Sequence, residues 1–140
     1  MKISVSGIRG IFGKDLTLPD ILKFSNNFSA LIKSKKCVVA TDTRPSGNVI
    51  LKTVKDGLIK SGIDVYDLGI VPTPIAFREA RKYGAGIEIT SSHNPIEWNG
   101  LKMIIDGRGL NEEQLHLVVG KQIHNKSKIG SEYFIKSNYI

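Results

Sequence analysis

The sequence predicts an α/β fold with a largely parallel sheet, because apolar runs of strand length alternate with stretches whose apolar residues recur at helical spacing. The breaks between them carry Gly, Pro, Asn, Asp and Ser, the residues that stop helices and start turns. At 140 residues, 41% hydrophobic and 24% charged, the chain can bury one sizeable core and not two.

Each element has a local cause. Thr17 is placed to cap a first helix, with Pro19 in its first turn. Ile21, Leu22, Phe24, Phe28, Leu31 and Ile32 then follow at helical spacing. Lys36 to Thr41 is a strand. Cys37 within it is a small core hydrophobe rather than a reactive thiol, and a single cysteine leaves no internal disulfide framework. Asp42 to Gly47 is a loop, with Ser46 placed to cap a helix that carries Val49, Ile50, Val54, Leu58 and Ile59 and stops at Ser61-Gly62. Ile63 to Leu68 is a short strand, and residues 74–82 form a helix ending at Tyr83-Gly84.

The next strand runs from Ala85 through Ile89 into Thr90-Ser91-Ser92-His93-Asn94-Pro95. Proline removes a donor and pushes its predecessor toward extended geometry, which sets the strand end at Asn94. Residues 100–105 make another strand, Asp106-Gly107-Arg108-Gly109 a turn without the partner carboxylates of a metal loop, and Asn111-Glu112-Glu113-Gln114 a capping box opening a helix to about Ile123. Residues 125–140, polar with scattered aromatics, read as an edge strand or linker. The ending at Asn138-Tyr139-Ile140 reads as a chain cut short.

No apolar stretch has transmembrane length, and Met1 to Gly7 lacks a signal-peptide apolar region, so a cytoplasmic location without membrane contact is expected. A net charge of +7 permits nucleic acid, anionic membranes or phosphorylated small molecules as partners. The lysines are dispersed and no basic-aromatic interleaving suggests base stacking, so a nucleic-acid-binding domain rests on charge alone. A stand-alone phosphate- or nucleotide-binding α/β module is the other alternative, but no Gly-x-Gly-x-x-Gly or P-loop stands at a strand–helix junction.

Chemistry gathers in four segments at loops that follow strands or precede helices: Ser6-Gly7-Ile8-Arg9-Gly10, Asp42-Thr43-Arg44-Pro45-Ser46, the hexapeptide Thr90 to Pro95, and Asn99-Gly100-Leu101-Lys102. The hexapeptide offers a hydroxyl among hydrogen-bonding groups at a strand end, where ligands bind in open α/β sheets. Glycines beside Arg9 allow close approach to a phosphate, and Lys102 is a point-charge phosphate binder or, with a lowered pKa, a base. Adjacent Ser and His do not make a hydrolase dyad, and no Gly-x-Ser-x-Gly elbow is present. Asp42, Arg44 and Ser46 shape their loop, with Arg44 equally able to support the site through a salt bridge. Trp98 reads as loop packing, and His116 and His124 as helix-surface residues.

In order and content the four segments resemble the α-D-phosphohexomutase superfamily of phosphoglucomutase, phosphomannomutase and phosphoglucosamine mutase. That family opens with Ser-Gly-Ile-Arg-Gly, carries Asp-x-Arg-x-Ser after its first parallel strand, and has an active-site loop Thr/Ser-Ala/Gly-Ser-His-Asn-Pro followed by Asn-Gly-x-Lys. The likeness runs from about Ser4 to Leu110, and Ser91 departs from the usual Ala or Gly.

The resemblance implies a three-layer αβα fold with a mixed, mostly parallel sheet flanked by helices. Residues 1–135 would be the catalytic phosphoserine domain, and 136–140 the start of a linker to a second domain. The implied activity is that of an intramolecular phosphotransferase, interconverting hexose 1-phosphate and 6-phosphate through a phosphoserine and a bisphosphorylated sugar. Ser92, directly before His93-Asn94-Pro95, is then the carrier. Arg9 and Lys102 are its cations, either of which could handle the hydroxyl proton. His93 partners the phosphoserine, and Asn94 and Arg44 bind phosphate or substrate.

The implied cofactors are Mg²⁺, reached by Ser92 through its phosphate, and hexose 1,6-bisphosphate as activator. The implied partners are a hexose phosphate and downstream domains. The family's Asp-Gly-Asp-x-Asp-Arg metal loop, its sugar-selecting loop and its Arg-Ser-Gly-Thr clamp do not occur here. The chain alone is therefore expected to be inactive, and glucose, mannose and glucosamine phosphates stay undecided.

Overall fold

The computed structural model describes residues 1–4, 7–91, 94–122 and 129–135. In chain order the elements are β1 (Lys2–Ser4), β2 (Gly7–Ile11), α1 (Leu18–Ser29), β3 (Lys36–Thr41), α2 (Gly47–Lys60), β4 (Asp64–Ile70), α3 (Thr73–Tyr83), β5 (Ala85–Ile89), β6 (Trp98–Ile105), β7 (Arg108–Gly109), α4 (Glu112–Val119) and β8 (Glu132–Phe134).

One sheet holds the strands in the order β1-β2-β6-β5-β3-β4-β8, with β7 paired to β6. β3 lies parallel to both β4 and β5, and β8 parallel to β4. β6 is antiparallel to β5 and β2, and β1 to β2. Along that order β2, β5, β3, β4 and β8 therefore run one way, which is the mixed, mostly parallel sheet expected.

Strand alternation explains the layers. On β3, Cys37 and Val39 face one core and Val38 and Ala40 another. The first core lies under α1, α2 and α4 and includes Phe24, Phe28, Ile50, Val54, Leu58 and Val118. The second is smaller and covered by α3 through Ala76. Each large side chain fully buried this way contributes about 1.5–3 kcal/mol. Cys37 is fully buried and its burial pushes the thiol pKa far up, so it acts as a core hydrophobe.

The starts of α1 and α4 follow their sequence signals. The Thr17 hydroxyl accepts from the Asp20 amide at 3.4 Å. Asn111 and Gln114 exchange both bonds of a capping box, at 2.8 and 3.0 Å. α1 and α2 approach closely because Gly57 lacks a Cβ, which would stand 2.8 Å from Ser25 Cβ. Asn27, buried in α1, ties down the end of α4 by donating to the Val118 carbonyl at 2.8 Å. Asp106 and Gly107 both have positive φ, the pair a two-residue hairpin turn requires, and join β6 to β7.

Several boundaries differ from the sequence reading. The segment around Arg9, read as a loop, is strand β2, because Ile8 alternates into the core while β2 pairs with β6. Trp98, read as loop packing, begins β6. β5 stops at Ile89 and not at Asn94, whose amide instead donates back to the Ser91 carbonyl at 3.1 Å. Ser46 precedes α2 in helical geometry and makes no side-chain cap. α4 ends at Val119, short of the Ile123 expected. Residue His124 and the 136–140 linker lie outside the described residues. The tail does form an edge strand, β8, latched by Lys55 of α2, which pairs with Asp67 of β4 and with Glu132 at 2.6 Å.

Candidate functional site

The motif segments converge where β5 leaves the sheet. Ser92 and His93, the expected carrier and its neighbour, lie outside the described residues. The structure describes what holds them on either side. Ser91 is fully buried, and the Asn94 side-chain amide donates to both its carbonyl and its hydroxyl at 3.0 Å. The oxygen that Ser91 adds over Ala is thus a hydrogen-bond acceptor inside the turn. Asn94, expected to bind phosphate, directs its side-chain donor inward to the loop.

Arg44 also faces the loop. Its Nη1 donates to the carbonyls of Pro95 at 2.6 Å and Trp98 at 3.0 Å, and its Nη2 to the Asn94 carbonyl at 2.9 Å. Asp42 aims it: one carboxylate oxygen accepts from Nε at 3.3 Å and the other from the Arg44 backbone amide at 3.1 Å. A planar five-donor fork suits this multiple capture of carbonyls better than a lone ammonium. The expected phosphate binder is built as the clamp of the loop, and its salt bridge to Asp42 is the supporting contact the sequence allowed. A second tie runs from buried Asn99, which donates to the Ser46 hydroxyl at 2.8 Å and accepts from the Gly100 amide at 2.8 Å. Ser46 has helical backbone angles, unlike a capping residue, and its hydroxyl serves Asn99 instead.

Arg9 and Lys102 come together through the sheet. Arg9 is opposite Gly100, and Lys102 is two residues further along β6, so both side chains fall on the face away from Ile8 and Leu101. A Cβ on Gly100 would stand 2.9 Å from Arg9 Cγ and 2.9 Å from the Thr90 carbonyl oxygen. The missing Cβ therefore lets the arginine stem cross β6 beside the residue that starts the hexapeptide. Lys102 lies with its Nζ 5.2 Å from the ring centroid of Phe77 on α3. Among the described residues neither cation forms an ion pair. A groove of about 300 Å³, lined by Asp42, Thr43, Arg44, Asn94 and Ile96, opens next to the loop. A larger hollow of about 510 Å³ lies between β1 and α4, lined by residues such as Leu115 and His116, away from this cluster.

A known domain type accounts for this arrangement. The sequence model of the phosphoglucomutase/phosphomannomutase α/β/α domain I matches residues 1–129. The chain belongs to that family. Among curated phosphohexomutase relatives, it is 38% identical to a probable phosphoglucosamine mutase of Methanosphaera stadtmanae over 94% of this chain and 32% of that protein. It is 43% identical to one of Thermococcus kodakarensis over 70% of this chain and 22% of that protein. It spans a third or less of the curated relatives it matches. A phosphoglucomutase/phosphomannomutase family protein of Burkholderia thailandensis superposes with a TM-score of 0.80 at 29% identity, over 97% of this chain and 34% of that one. A phosphomannomutase-type structure from Thermus thermophilus, at 22% identity and a TM-score of 0.82, shares the fold.

Sequence reasoning missed Glu88. It is 1% exposed, sits opposite Lys102 on β5, and its Oε2 has no hydrogen-bond partner among the described residues. Burial, the Asp42 charge and, in opposition, the Lys102 charge together push its carboxyl up to about 8. The signal was present as the one acid in the otherwise apolar run Ala85 to Ile89. Among the described residues no cluster of three His, Cys, Asp or Glu could hold a metal ion, and no helix is long and apolar enough to cross a membrane.

Proposed function

We propose that this chain is the phosphoserine-carrying domain of a hexose-phosphate mutase, with Ser92 as the phosphoryl carrier and Arg9 and Lys102 as the cations facing its phosphate. The observation that carries the reading is the meeting of Arg9 and Thr90 over Gly100, which brings the arginine stem beside the strand end that leads to Ser92. Phosphoryl transfer is governed by positioning and charge stabilisation, so a loop whose flanking residues are tied down and two nearby cations are the parts this domain would supply. The serine hydroxyl bonds to phosphorus when a bisphosphorylated sugar gives up one phosphoryl group, and the sugar oxygen it leaves regains a proton. In the other half-reaction the phosphoserine gives its phosphoryl group to the free hydroxyl of a hexose monophosphate, which forms the bisphosphorylated sugar and restores the serine hydroxyl. The sugar then reorients so that its other phosphoryl group is the one that returns to the serine.

Arg44, Asn94 and Asn99 act on this chemistry by holding the loop. His93 would be a hydrogen-bond partner of the phosphate. Mg²⁺ would complete the charge balance when bound, but the described residues do not form its site. Apart from the Ser92 phosphate, its ligands would come from outside this chain. Hexose 1,6-bisphosphate would serve as the priming donor. Residues 1–135 would make up the domain and 136–140 lead toward the next one.

Two measurements test the reading. Arg9→Ala and Lys102→Met are each expected to weaken binding of a hexose 6-phosphate about tenfold, as loss of a charge-assisted contact does. Full binding in both variants would refute it. The purified chain, given Mg²⁺ and hexose bisphosphate, is expected to show no mutase turnover, and measurable turnover would disprove the division of labour between domains.

A further inference from the structure

Glu88 is a buried carboxyl to which the reaction just described gives no role. It stands directly across from Lys102 in the β5–β6 pairing, on the face covered by α3. Buried polar atoms are normally hydrogen-bonded, so the unpartnered Oε2 asks for a physical account. The charges that reach it come from neighbouring elements. Asp42, in the loop after β3, opposes its ionisation, and Lys102 favours it. β3 presents Ala40 at the adjoining register position. α3 carries Arg78, Glu79 and Lys82, and Glu79 pairs with Arg78 at 3.6 Å and with Lys82 at 3.3 Å. Lys102, whose Nζ lies near the Phe77 ring, has no carboxylate partner among the described residues.

We propose that Glu88 is a positioning residue for Lys102: while neutral it leaves the ammonium to face an anion at the Ser92 loop, and once ionised it draws that ammonium back across the strand pair. The inference rests on the reading of Lys102 as a phosphate-facing cation. The proton balance is simple, since Glu88 releases one proton to solvent and Lys102 keeps its own. The carboxyl is pushed up to about 8, so the exchange falls between about pH 7 and about pH 9. Anion affinity at the loop is therefore set by the protonation of a residue that never touches the anion.

Calorimetric titration of the chain with sulfate, whose charge is constant here, tests this at about pH 7 and about pH 9. Wild-type affinity should fall about threefold at the higher pH, the scale of a partly screened ion pair. Glu88→Gln should bind equally at both, and Lys102→Met more weakly at both. A wild-type affinity that does not fall, or a fall that persists in Glu88→Gln, overturns the coupling while leaving Lys102 in the site. Undiminished binding by Lys102→Met overturns instead the reading of Lys102. Should Glu88→Gln fail to fold, carbon-13 NMR of the wild-type Glu88 carboxyl decides. Its titration should move upward in Lys102→Met, and an unmoved titration contradicts the proposal.

Discussion

The Arg44 guanidinium sits 2.9 Å from the Asn94 carbonyl oxygen, so the loop after β3 holds the turn that follows β5. The same side chain reaches Pro95 and Trp98, and three carbonyls of one loop thus converge on one cation. Arg44→Ala should destabilise the chain by about 2–3 kcal/mol, because charge-assisted bonds are lost and water replaces them only in part. Urea unfolding gives the magnitude. Hydrogen exchange across residues 94–98 should speed up, and Arg44→Lys should restore little, since a point charge cannot engage three acceptors in a plane. Unchanged exchange there would remove Arg44 from the role of clamp.

Gly100 of β6 is closely flanked by Ile8 and Arg9 of β2 on one side and by Thr90, the residue after β5, on the other. A Cβ would lie 2.5 Å from the Ile8 carbonyl oxygen, and backbone cannot yield as a side-chain tip can. Gly100→Ala should cost roughly 2–3 kcal/mol, the scale of overpacking a tight core, and should separate Arg9 from the loop. Thermal unfolding and phosphate binding measured together should both drop. A variant of wild-type stability would show that β2 can slide away from β6.

The latch on β8 depends on Lys55, an ammonium held between two carboxylates. Its pKa is raised: burial pulls it down, but the hydrogen bonds and charges of Asp67 and Glu132 outweigh that. A raised ammonium pKa stabilises the fold fully below the ordinary value of 10.5, and that stabilisation is lost as pH rises through the folded value. Stability should therefore decline in strongly alkaline solution, and Lys55→Met should lack that decline. The same variant leaves Asp67 and Glu132 facing each other, at an expected cost of about 2–3 kcal/mol near neutral pH. Denaturant midpoints across the alkaline range check both parts.

Glu88 carries the opposite lesson, a destabilising group. Its carboxyl is pushed from 4.5 to about 8, so the folded state holds its proton where the unfolded chain has released it. Between those values the folded state binds more protons, and stability falls as pH rises. Glu88→Gln removes this loss and should be more stable than wild type above about pH 8, by roughly 2–4 kcal/mol. Equal pH dependence of unfolding in the two proteins would mean that Glu88 is not titrating in the fold.

How much of this was legible in the sequence depends on how local the cause is. Thr17 and the Asn111–Gln114 box are settled within four residues, and both caps form. The strand Lys36–Thr41 has the same bounds in sequence and structure because both its faces are buried. Arg9 between glycines read as a loop, and only its pairing with distant Gly100 makes it a strand residue. Ser46 looked like a cap, but its backbone is helical and its hydroxyl accepts from Asn99, far along the chain. The hexapeptide was legible as a loop with chemistry, but not the inward commitment of Asn94 and Arg44, which comes from tertiary hydrogen bonds. Glu88 became visible only once the register set it opposite Lys102.

The central claim is that Ser92 carries a phosphoryl group, and tandem mass spectrometry tests it most directly. The chain, joined to the downstream domains proposed to hold Mg²⁺, is incubated with a hexose 1,6-bisphosphate and Mg²⁺ and digested, and the peptide spanning Thr90 to Pro95 is fragmented. The account predicts one phosphate, located on Ser92 and absent from Ser92→Ala. A phosphate on Ser91, or none on this peptide, would contradict it.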